Sequence, residues 1–166
     1  MPIKDIILFR HAQKSTWSQD PDLSSQGHQQ AKNIIKLVQL NKLPIPSELL
    51  CSPKKRALQT FLPFQSAYQI QLNIEPSLDE RGSHESQKQF ESRIKNFVNL
   101  DLPQKTATSL FLCTHLDWFE VFSIVAPLID DLSQEVLQLQ PASYYHFQIE
   151  TNQTHPWSLF QKGEIQ

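Results

Sequence analysis

The sequence is poor in glycine, in cysteine and in long apolar runs, and each shortage excludes a class of protein. Its 166 residues include three glycines, which are too dispersed to form the glycine-rich phosphate loops of nucleotide-binding folds. Both cysteines, Cys51 and Cys113, lie in apolar, strand-like runs, which favours buried thiols over a disulfide or a zinc site. No apolar stretch approaches the ~20 residues that span a bilayer, so we expect no membrane association.

The charged residues are not concentrated in runs of one sign. The formal net charge is -2 at pH 7, and the absence of a lysine- or arginine-rich run argues against a nucleic-acid partner. The amino terminus leads directly into a strand-like run without the profile of a secretory signal, so we expect a cytoplasmic protein. Nothing in the sequence indicates an oligomeric state.

Short apolar runs alternate with segments of helical periodicity. Residues 6–9, 49–51 and 110–113 predict buried strands, and residues 70–74 predict a strand nearer an edge. Apolar residues at helical spacing in 31–38, 90–98 and 119–125 predict amphipathic helices. Ser52 followed by Pro53 is typical of an N-cap and a first helical position, which predicts a helix from there to about residue 67 that Pro63 kinks or ends early.

The last part of the chain has a different pattern. Residues 144–149 and 157–160 predict an antiparallel hairpin joined by a polar turn. Together with the alternating strands and helices, this predicts an α/β fold, a three-layer sandwich whose mixed, mostly parallel sheet is flanked by helices. The length and the apolar content of 39% fit a single domain over residues 1–166.

Basic and imidazole side chains follow three of the predicted strands. Arg10 and His11 come directly after the first strand, Arg56 lies in the first turn after another, and His115 follows a third. Ligands of open parallel sheets bind at the carboxyl ends of the strands, where helix amino termini also point. Guanidinium groups pair bidentately with phosphate oxygens, so this edge predicts a phosphate pocket.

Five segments of the chain, in the same order, resemble the signatures of the histidine phosphatase superfamily, which includes the cofactor-dependent phosphoglycerate mutases and the small phosphohistidine phosphatases. Residues 10–12 (RHA) resemble R-H-G, and residues 52–60 (SPKKRALQT) match S-P-x-x-R-A-x-Q-T closely. Residues 23–31, 78–81 (LDER) and 114–115 resemble the remaining three segments. The resemblance covers residues 5–118 and implies a phosphoglycerate mutase-like fold.

The resemblance also implies a role for each matching side chain. His11 is the expected nucleophile, and Arg10, Arg56 and His115 are expected to hold the phosphate oxygens. Glu80 is the expected proton donor to the leaving oxygen. Ser18, in a Trp17-Ser18 pair similar to a W-N pair of mutase-like relatives, is a weaker candidate for a phosphate ligand. The expected substrate is a phosphorylated small molecule or phosphoprotein, with no metal or cofactor.

Three alternatives stay open from the sequence. Glu85 lies close enough to Glu80 to be the acid instead. Ala12 replaces the glycine that usually follows the first histidine, and Leu116 stands where many members have glycine, which leaves a catalytically weak or inactive phosphate- or phosphopeptide-binding module as a rival to the enzyme. A phosphoglycerate mutase-type phosphotransferase is the third reading, although mutases carry longer insertions over the pocket.

Overall fold

One six-stranded mixed sheet runs through the molecule in the order β3-β2-β4-β1-β5-β6. The computed structural model describes residues 3–16, 18–150 and 156–166. Its strands and α-helices are β1 (Asp5–Arg10), α1 (Ser25–Gln39), β2 (Glu48–Cys51), α2 (Lys55–Tyr68), β3 (Leu72–Ile74), α3 (Gln87–Asn96), β4 (Ser109–Thr114), α4 (Leu116–Val125), β5 (Ser143–Ile149) and β6 (Trp157–Glu164). Turns of 3₁₀ helix cover Pro76–Leu78, Leu102–Gln104 and Val136–Gln138, and a π-helical turn covers Phe97–Asp101.

The four strands β1 to β4 are parallel, β5 is antiparallel to its neighbour β1, and β6 is antiparallel to β5. The two central strands β4 and β1 are the apolar runs that the sequence marked as buried, and they pair in register from Ile6 opposite Leu110 to Phe9 opposite Cys113. The short β3 forms one edge of the sheet, as predicted. The predicted hairpin is confirmed, and its turn, residues 151–155, lies outside the described residues.

Helices cover both faces of this sheet. Ile7 and Phe9 of β1 pack with the buried faces of α1 and α2, whereas Ile6 and Leu8 pack with those of α3 and α4. Successive side chains of a strand point to opposite faces, so one strand contributes to both apolar cores. The predicted three-layer α/β fold is confirmed.

The predicted start of α2 is wrong. The helix begins at Lys55, and the N-cap position is Lys54, which makes no side-chain capping bond. The Ser52 hydroxyl is hydrogen-bonded to the ring of His115, the residue that follows β4. Pro63 does not end the helix, which continues to Tyr68.

The two cysteines are free, buried thiols, as the sequence indicated. Cys51 and Cys113 are neighbours across the β2–β4 pair. Burial raises the pKa of Cys51 to about 11 and raises that of Cys113 well above its ordinary value, which keeps both thiols protonated. In the described part of the chain, none of the helices has the length and apolar character needed to cross a bilayer.

The loop after β1 is fixed by the start of α1. The Gln30 side chain accepts a hydrogen bond from the Gln13 backbone N–H at 3.0 Å, and the Ser24 hydroxyl donates to the Gln13 side chain at 2.7 Å. Ser24 is also the N-cap of α1 and accepts from the Gly27 N–H. Gly27 is needed because a Cβ atom there would lie 2.0 Å from the Gln13 carbonyl oxygen.

We predict that Gly27→Ala destabilises the fold by ~3 kcal/mol, because a backbone segment must move to admit the methyl group. Gly82→Ala is the matched control, since its added Cβ has no neighbour closer than the Glu85 Cβ at 3.8 Å. Urea unfolding followed by circular dichroism measures both variants. Equal stability of the two variants would contradict the close approach of α1 to the loop.

Candidate active site

The carboxyl edge of the sheet brings three chain segments together. The backbone N–H of His11 donates to the Thr114 carbonyl at 3.0 Å, and that of Ser52 donates to the Cys113 carbonyl at 3.0 Å. These bonds extend the β1–β4 and β2–β4 pairs by one residue each. The first residues beyond β1, β2 and β4 therefore lie side by side at the rim.

The Arg56 guanidinium is the common partner of the site residues at this rim. Arg56 is the second residue of α2 and is only 3% exposed. Its Nε donates to His11 Nε2 at 3.2 Å, and its Nη2 lies 3.1 Å from His115 Nδ1 and 2.5 Å from Glu80 Oε2. Three predicted site residues thus meet at the guanidinium of a fourth.

This guanidinium fixes the tautomers of both histidines, since an arginine N–H is always a donor. His11 Nε2 and His115 Nδ1 must each present a lone pair to Arg56. His11 Nδ1 carries the proton, which it donates to the Ala12 carbonyl at 2.8 Å. The unprotonated Nε2 of His11 is the atom with a lone pair available for nucleophilic attack.

Both rings are neutral in the free protein. Burial, and to a lesser extent the charge of Arg56, lowers the pKa of His11 to about 3. Burial, the nearby His11 and Arg56 lower the pKa of His115 far below its ordinary value. The hydrogen bonds and the pKa shifts therefore agree on two neutral imidazoles.

Two buried arginine donors at the site lack an acceptor within the described part of the chain. They are Arg10 Nε and Arg56 Nη1, and the latter lies 3.8 Å from Asp20 Oδ1, beyond hydrogen-bond distance. Arg10 Nη1 donates to the Leu139 carbonyl, which holds this guanidinium in place. Because unpaired buried donors are costly, an anion that accepts from both arginines is the ligand that this arrangement favours.

Glu80 lies on a loop that is clamped from two sides. Arg93 of α3 donates to the backbone carbonyls of Ser77, Asp79 and Glu80 at 3.0–3.3 Å. From α4, Asp117 accepts from the Arg81 N–H at 2.8 Å. The carboxylate is therefore positioned by backbone contacts as well as by Arg56.

Glu85, the alternative acid, has a different partner. Both of its carboxylate oxygens accept from Arg93, at 2.8 Å each. Glu80 contacts Arg56 and lies 3.9 Å from His115 Nδ1. The geometry favours Glu80 over Glu85 as the proton donor at this site.

Ser18 is not among the side chains that gather around Arg56. It is exposed, and its hydroxyl accepts from Thr16 at 3.3 Å. Its role as a phosphate ligand stays a prediction, and Trp17 lies outside the described residues. Ala12 packs its methyl group in the apolar core, so the replacement of glycine does not place that methyl in the pocket.

Sequence reasoning did not identify two polar partners of the site. Asp79 accepts from the Ser52 hydroxyl at 3.2 Å, and Lys54 pairs with Glu80 at 3.5 Å. Lys54 and Asp79 both lie inside segments that resemble the superfamily, which is the signal that could have found them. Throughout the described residues, no cluster of three or more His, Cys, Asp or Glu is arranged to hold a metal ion.

Fold and rim together define an α/β protein with two arginines and two neutral histidines gathered at the carboxyl edge of a mixed sheet. A model of the histidine phosphatase superfamily, branch 1, matches residues 6–91, more than half of the chain. The chain belongs to this superfamily. No curated protein sequence matches the chain.

Solved structures show the same fold over almost the whole chain. A protein from Escherichia coli assigned as an α-ribazole-5′-phosphate phosphatase superposes with a TM-score of 0.74 at 18% identity, covering 95% of this chain and 94% of its own. A protein from Agrobacterium tumefaciens assigned as phosphohistidine phosphatase SixA has a TM-score of 0.67 at 18% identity, covering 97% of both chains. Phosphoserine phosphatase from Entamoeba histolytica, bound to 3-phosphoglyceric acid, has a TM-score of 0.69 at 16% identity, covering 98% of both.

We predict that acid destabilises the fold through His11 and His115. Their pKa values are lowered in the folded state, so the unfolded chain binds more protons below its histidine pKa of about 6.5, and stability falls as the pH drops from there towards 3. Between pH 7.5 and pH 5 each ring accounts for a loss of about 2 kcal/mol. His11→Asn reduces the loss measured by urea unfolding, whereas His28→Asn, at an exposed position, leaves it unchanged. An identical pH slope in both variants contradicts the neutral, buried state of His11.

Proposed function

We propose that this protein is a phosphatase that hydrolyses a phosphomonoester through a phosphohistidine intermediate on His11, without a metal ion or cofactor. The observation that carries the proposal is the neutral His11 ring, whose Nε2 lone pair faces the buried Arg56, with unpaired donors on Arg56 and on the preceding residue Arg10. The names of the structural neighbours, which describe phosphatases, support it. The proposal treats residues 1–166 as a single histidine phosphatase domain in the cytoplasm.

In the first step, the His11 Nε2 lone pair attacks phosphorus in line and the bond from phosphorus to the ester oxygen breaks. Arg10, Arg56 and His115 hold the other oxygens and stabilise the charge that develops on them. The unpaired Arg56 Nη1 and Arg10 Nε supply donors that are already fixed in a buried site. The two guanidinium groups thereby provide the positive charge that a metal ion supplies in other phosphatases.

Glu80 supplies the proton that the leaving oxygen needs. In the free protein its carboxylate occupies Arg56 Nη2, one of the donors that a phosphate group competes for. A phosphate dianion that displaces Glu80 brings negative charge next to the carboxyl group, and this favours the neutral acid. After the alcohol leaves, the Glu80 carboxylate takes a proton from the water that attacks the phosphohistidine, and the bond from phosphorus to nitrogen breaks.

The leaving group has room beside Glu80. An open cleft of about 540 Å³ borders the acid and is lined by Ser83, His84 and Gln89 among other residues. A positioned acid matters most for an alcohol leaving group, because an alkoxide is a poor one. The geometry therefore supports an oxygen-linked phosphate ester more strongly than a phosphohistidine protein.

We predict that the purified protein hydrolyses para-nitrophenyl phosphate in the presence of a metal chelator. His11→Ala abolishes this turnover because it removes the nucleophile, and Arg56→Ala reduces it by about 10²–10³-fold because it removes an oxyanion donor. Rapid quenching in alkali traps acid-labile phosphate on His11 of the wild type. The measurements are the steady-state rate and the phosphorylated fraction.

The same experiment separates the enzyme from its rivals. Binding of inorganic phosphate without turnover identifies a phosphate-binding module and contradicts the proposal. Loss of turnover with chelator contradicts the metal-independent chemistry. Transfer of phosphate to an added phosphoglycerate rather than to water identifies a mutase-type phosphotransferase.

Glu80→Gln tests the acid against a matched substitution, Glu85→Gln, five residues away. We predict that Glu80→Gln slows hydrolysis of an alkyl phosphate by ~10²-fold or more, because the alkoxide must then leave without a proton. Hydrolysis of para-nitrophenyl phosphate is affected much less, since nitrophenolate is a good leaving group. Glu85→Gln loses a partner of Arg93 instead and affects both substrates alike. A larger selective effect in Glu85→Gln transfers the acid role to that residue.

A further inference from the structure

The His115 ring is held from the side opposite Arg56 by a chain of two polar residues. His115 Nε2 lies 2.7 Å from the Ser52 hydroxyl, and this hydroxyl donates to Asp79 Oδ1 at 3.2 Å. Ser52 is fully buried and His115 is 2% exposed. Asp79, Ser52 and His115 therefore form a relay that reaches the phosphate pocket from the Glu80 loop.

The hydrogen bonds of Ser52 determine which nitrogen of His115 carries the proton. A hydroxyl donates once and accepts twice. Its single proton goes to the Asp79 carboxylate, which only accepts, and its lone pairs receive the Lys54 backbone N–H at 3.3 Å and His115 Nε2. Nε2 of His115 must therefore be protonated. This agrees with the lone pair that His115 Nδ1 presents to Arg56.

This tautomer is unsuited to a phosphate dianion unless the ring gains a proton. Nδ1 is the atom of His115 that faces Arg56 and Glu80, so it faces the place where phosphate oxygens compete for Arg56. A lone pair on Nδ1 repels an anionic oxygen, whereas an Nδ1–H donates to it. Protonation of Nδ1 makes His115 an imidazolium that donates to phosphate through Nδ1 and to Ser52 through Nε2.

We infer that Asp79, acting through the Ser52 hydroxyl, is a positioning residue that fixes the Nε2–H tautomer of His115 and stabilises the imidazolium formed when a dianion binds. This inference rests on the proposed function only in taking the pocket as a phosphate site. One proton from solvent joins Nδ1 for each dianion bound, and no other bond changes. Binding of phosphate and uptake of a proton are thereby coupled at His115.

The charged and titratable groups around His115 explain why the relay is needed. They come from the end of β1, from the start of α2 and from the Glu80 loop, and they are Arg10, His11, Lys54, Arg56, Asp79 and Glu80. The three cations disfavour a charged ring, and they lower the pKa of His115 together with its burial. When a dianion displaces Glu80, Asp79 is the carboxylate that still reaches the ring through a hydrogen bond.

Sulfate is the probe for this coupling, since it stays a dianion across neutral pH and brings no proton of its own. The starting protein is the double variant His11→Ala/Glu80→Gln, which removes the two other groups at the pocket that can take up a proton. Calorimetric titration with sulfate in two buffers of different ionisation enthalpy measures the protons taken up. We expect close to one proton per sulfate bound at pH 7, and an affinity that falls about tenfold per pH unit at higher pH.

Asp79→Asn and Ser52→Ala, each added to the starting protein, test the relay. Asparagine keeps the acceptor oxygen and loses the charge, whereas alanine breaks the link and keeps the charge. We expect each to reduce sulfate affinity at pH 7 by about tenfold or more and to bring proton uptake well below one half. Asp79→Asn is expected to have a smaller effect once Ser52→Ala is present, because the path through the hydroxyl is then broken and only the direct approach of Asp79 Oδ1 to His115 Nε2, at 3.8 Å, is left.

Asp20→Asn is the matched control, because it removes an equal charge 3.8 Å from Arg56 and has no bond to Ser52. It is expected to retain proton uptake. Three outcomes would each overturn the inference. The starting protein takes up no proton, sulfate fails to bind, or Asp20→Asn and Asp79→Asn have equal effects. An inactive wild type whose starting variant still takes up the proton contradicts the phosphatase proposal and leaves the relay in place.

A pH profile gives a second readout that general misfolding does not imitate. In the otherwise unaltered enzyme, Asp79→Asn is expected to shift the alkaline limb of kcat for para-nitrophenyl phosphate, which reports ionisations in the enzyme–substrate complex, to lower pH by about one unit or more. The rate at the acidic end of the profile changes little, since there His115 is protonated in the complex without help. A uniform fall at every pH identifies a structural defect and contradicts the positioning role.

Discussion

The buried cation of Arg56 is the constraint on which the site depends. A guanidinium group removed from water needs compensating partners, and here two imidazole lone pairs and one carboxylate supply them. Because arginine only donates, the same contact decides which nitrogen of His11 is unprotonated. In the proposed mechanism, Arg56 therefore both binds phosphate and sets the tautomer of the nucleophile before phosphate arrives, and the hydrogen bonds that Arg56 makes in the free protein are those that substrate rearranges.

The sequence was sufficient for the fold because its signals were local. The apolar runs of β1 and β4 and the helical spacing of α1, α3 and α4 each reflect a single element packing against the core. The rim followed from topology, since residues directly after parallel strands meet at one edge. His11, Arg56 and His115 were found in this way, and Glu80 was found by its resemblance to a superfamily segment.

The remaining features depend on contacts between distant segments, for which a single sequence carries no periodic signal. Ser52 matched a helix start, yet its hydroxyl bonds His115, 63 residues away in sequence. Arg93 reads as an ordinary exposed position on α3, yet it binds the backbone of the Glu80 loop. Ser18 was proposed from the similarity of its residue pair to a W-N pair, and the fold leaves it exposed. For Ser52 and Arg93 the hydrogen-bond partner was set by tertiary packing that local patterns do not encode.

The contacts that hold the Glu80 loop make the position of the acid independent of the residues that line the neighbouring cleft. Arg93 and Asp117 hold the backbone on either side of the acid, so its position does not depend on the exposed stretch 82–84 that borders the cleft. That stretch can change in length or chemistry while Glu80, the proposed proton donor, keeps its position. Substitutions or insertions in residues 82–84 can therefore alter which substrates the proposed enzyme accepts without moving Glu80. This makes residues 82–84 the place to change substrate specificity by design.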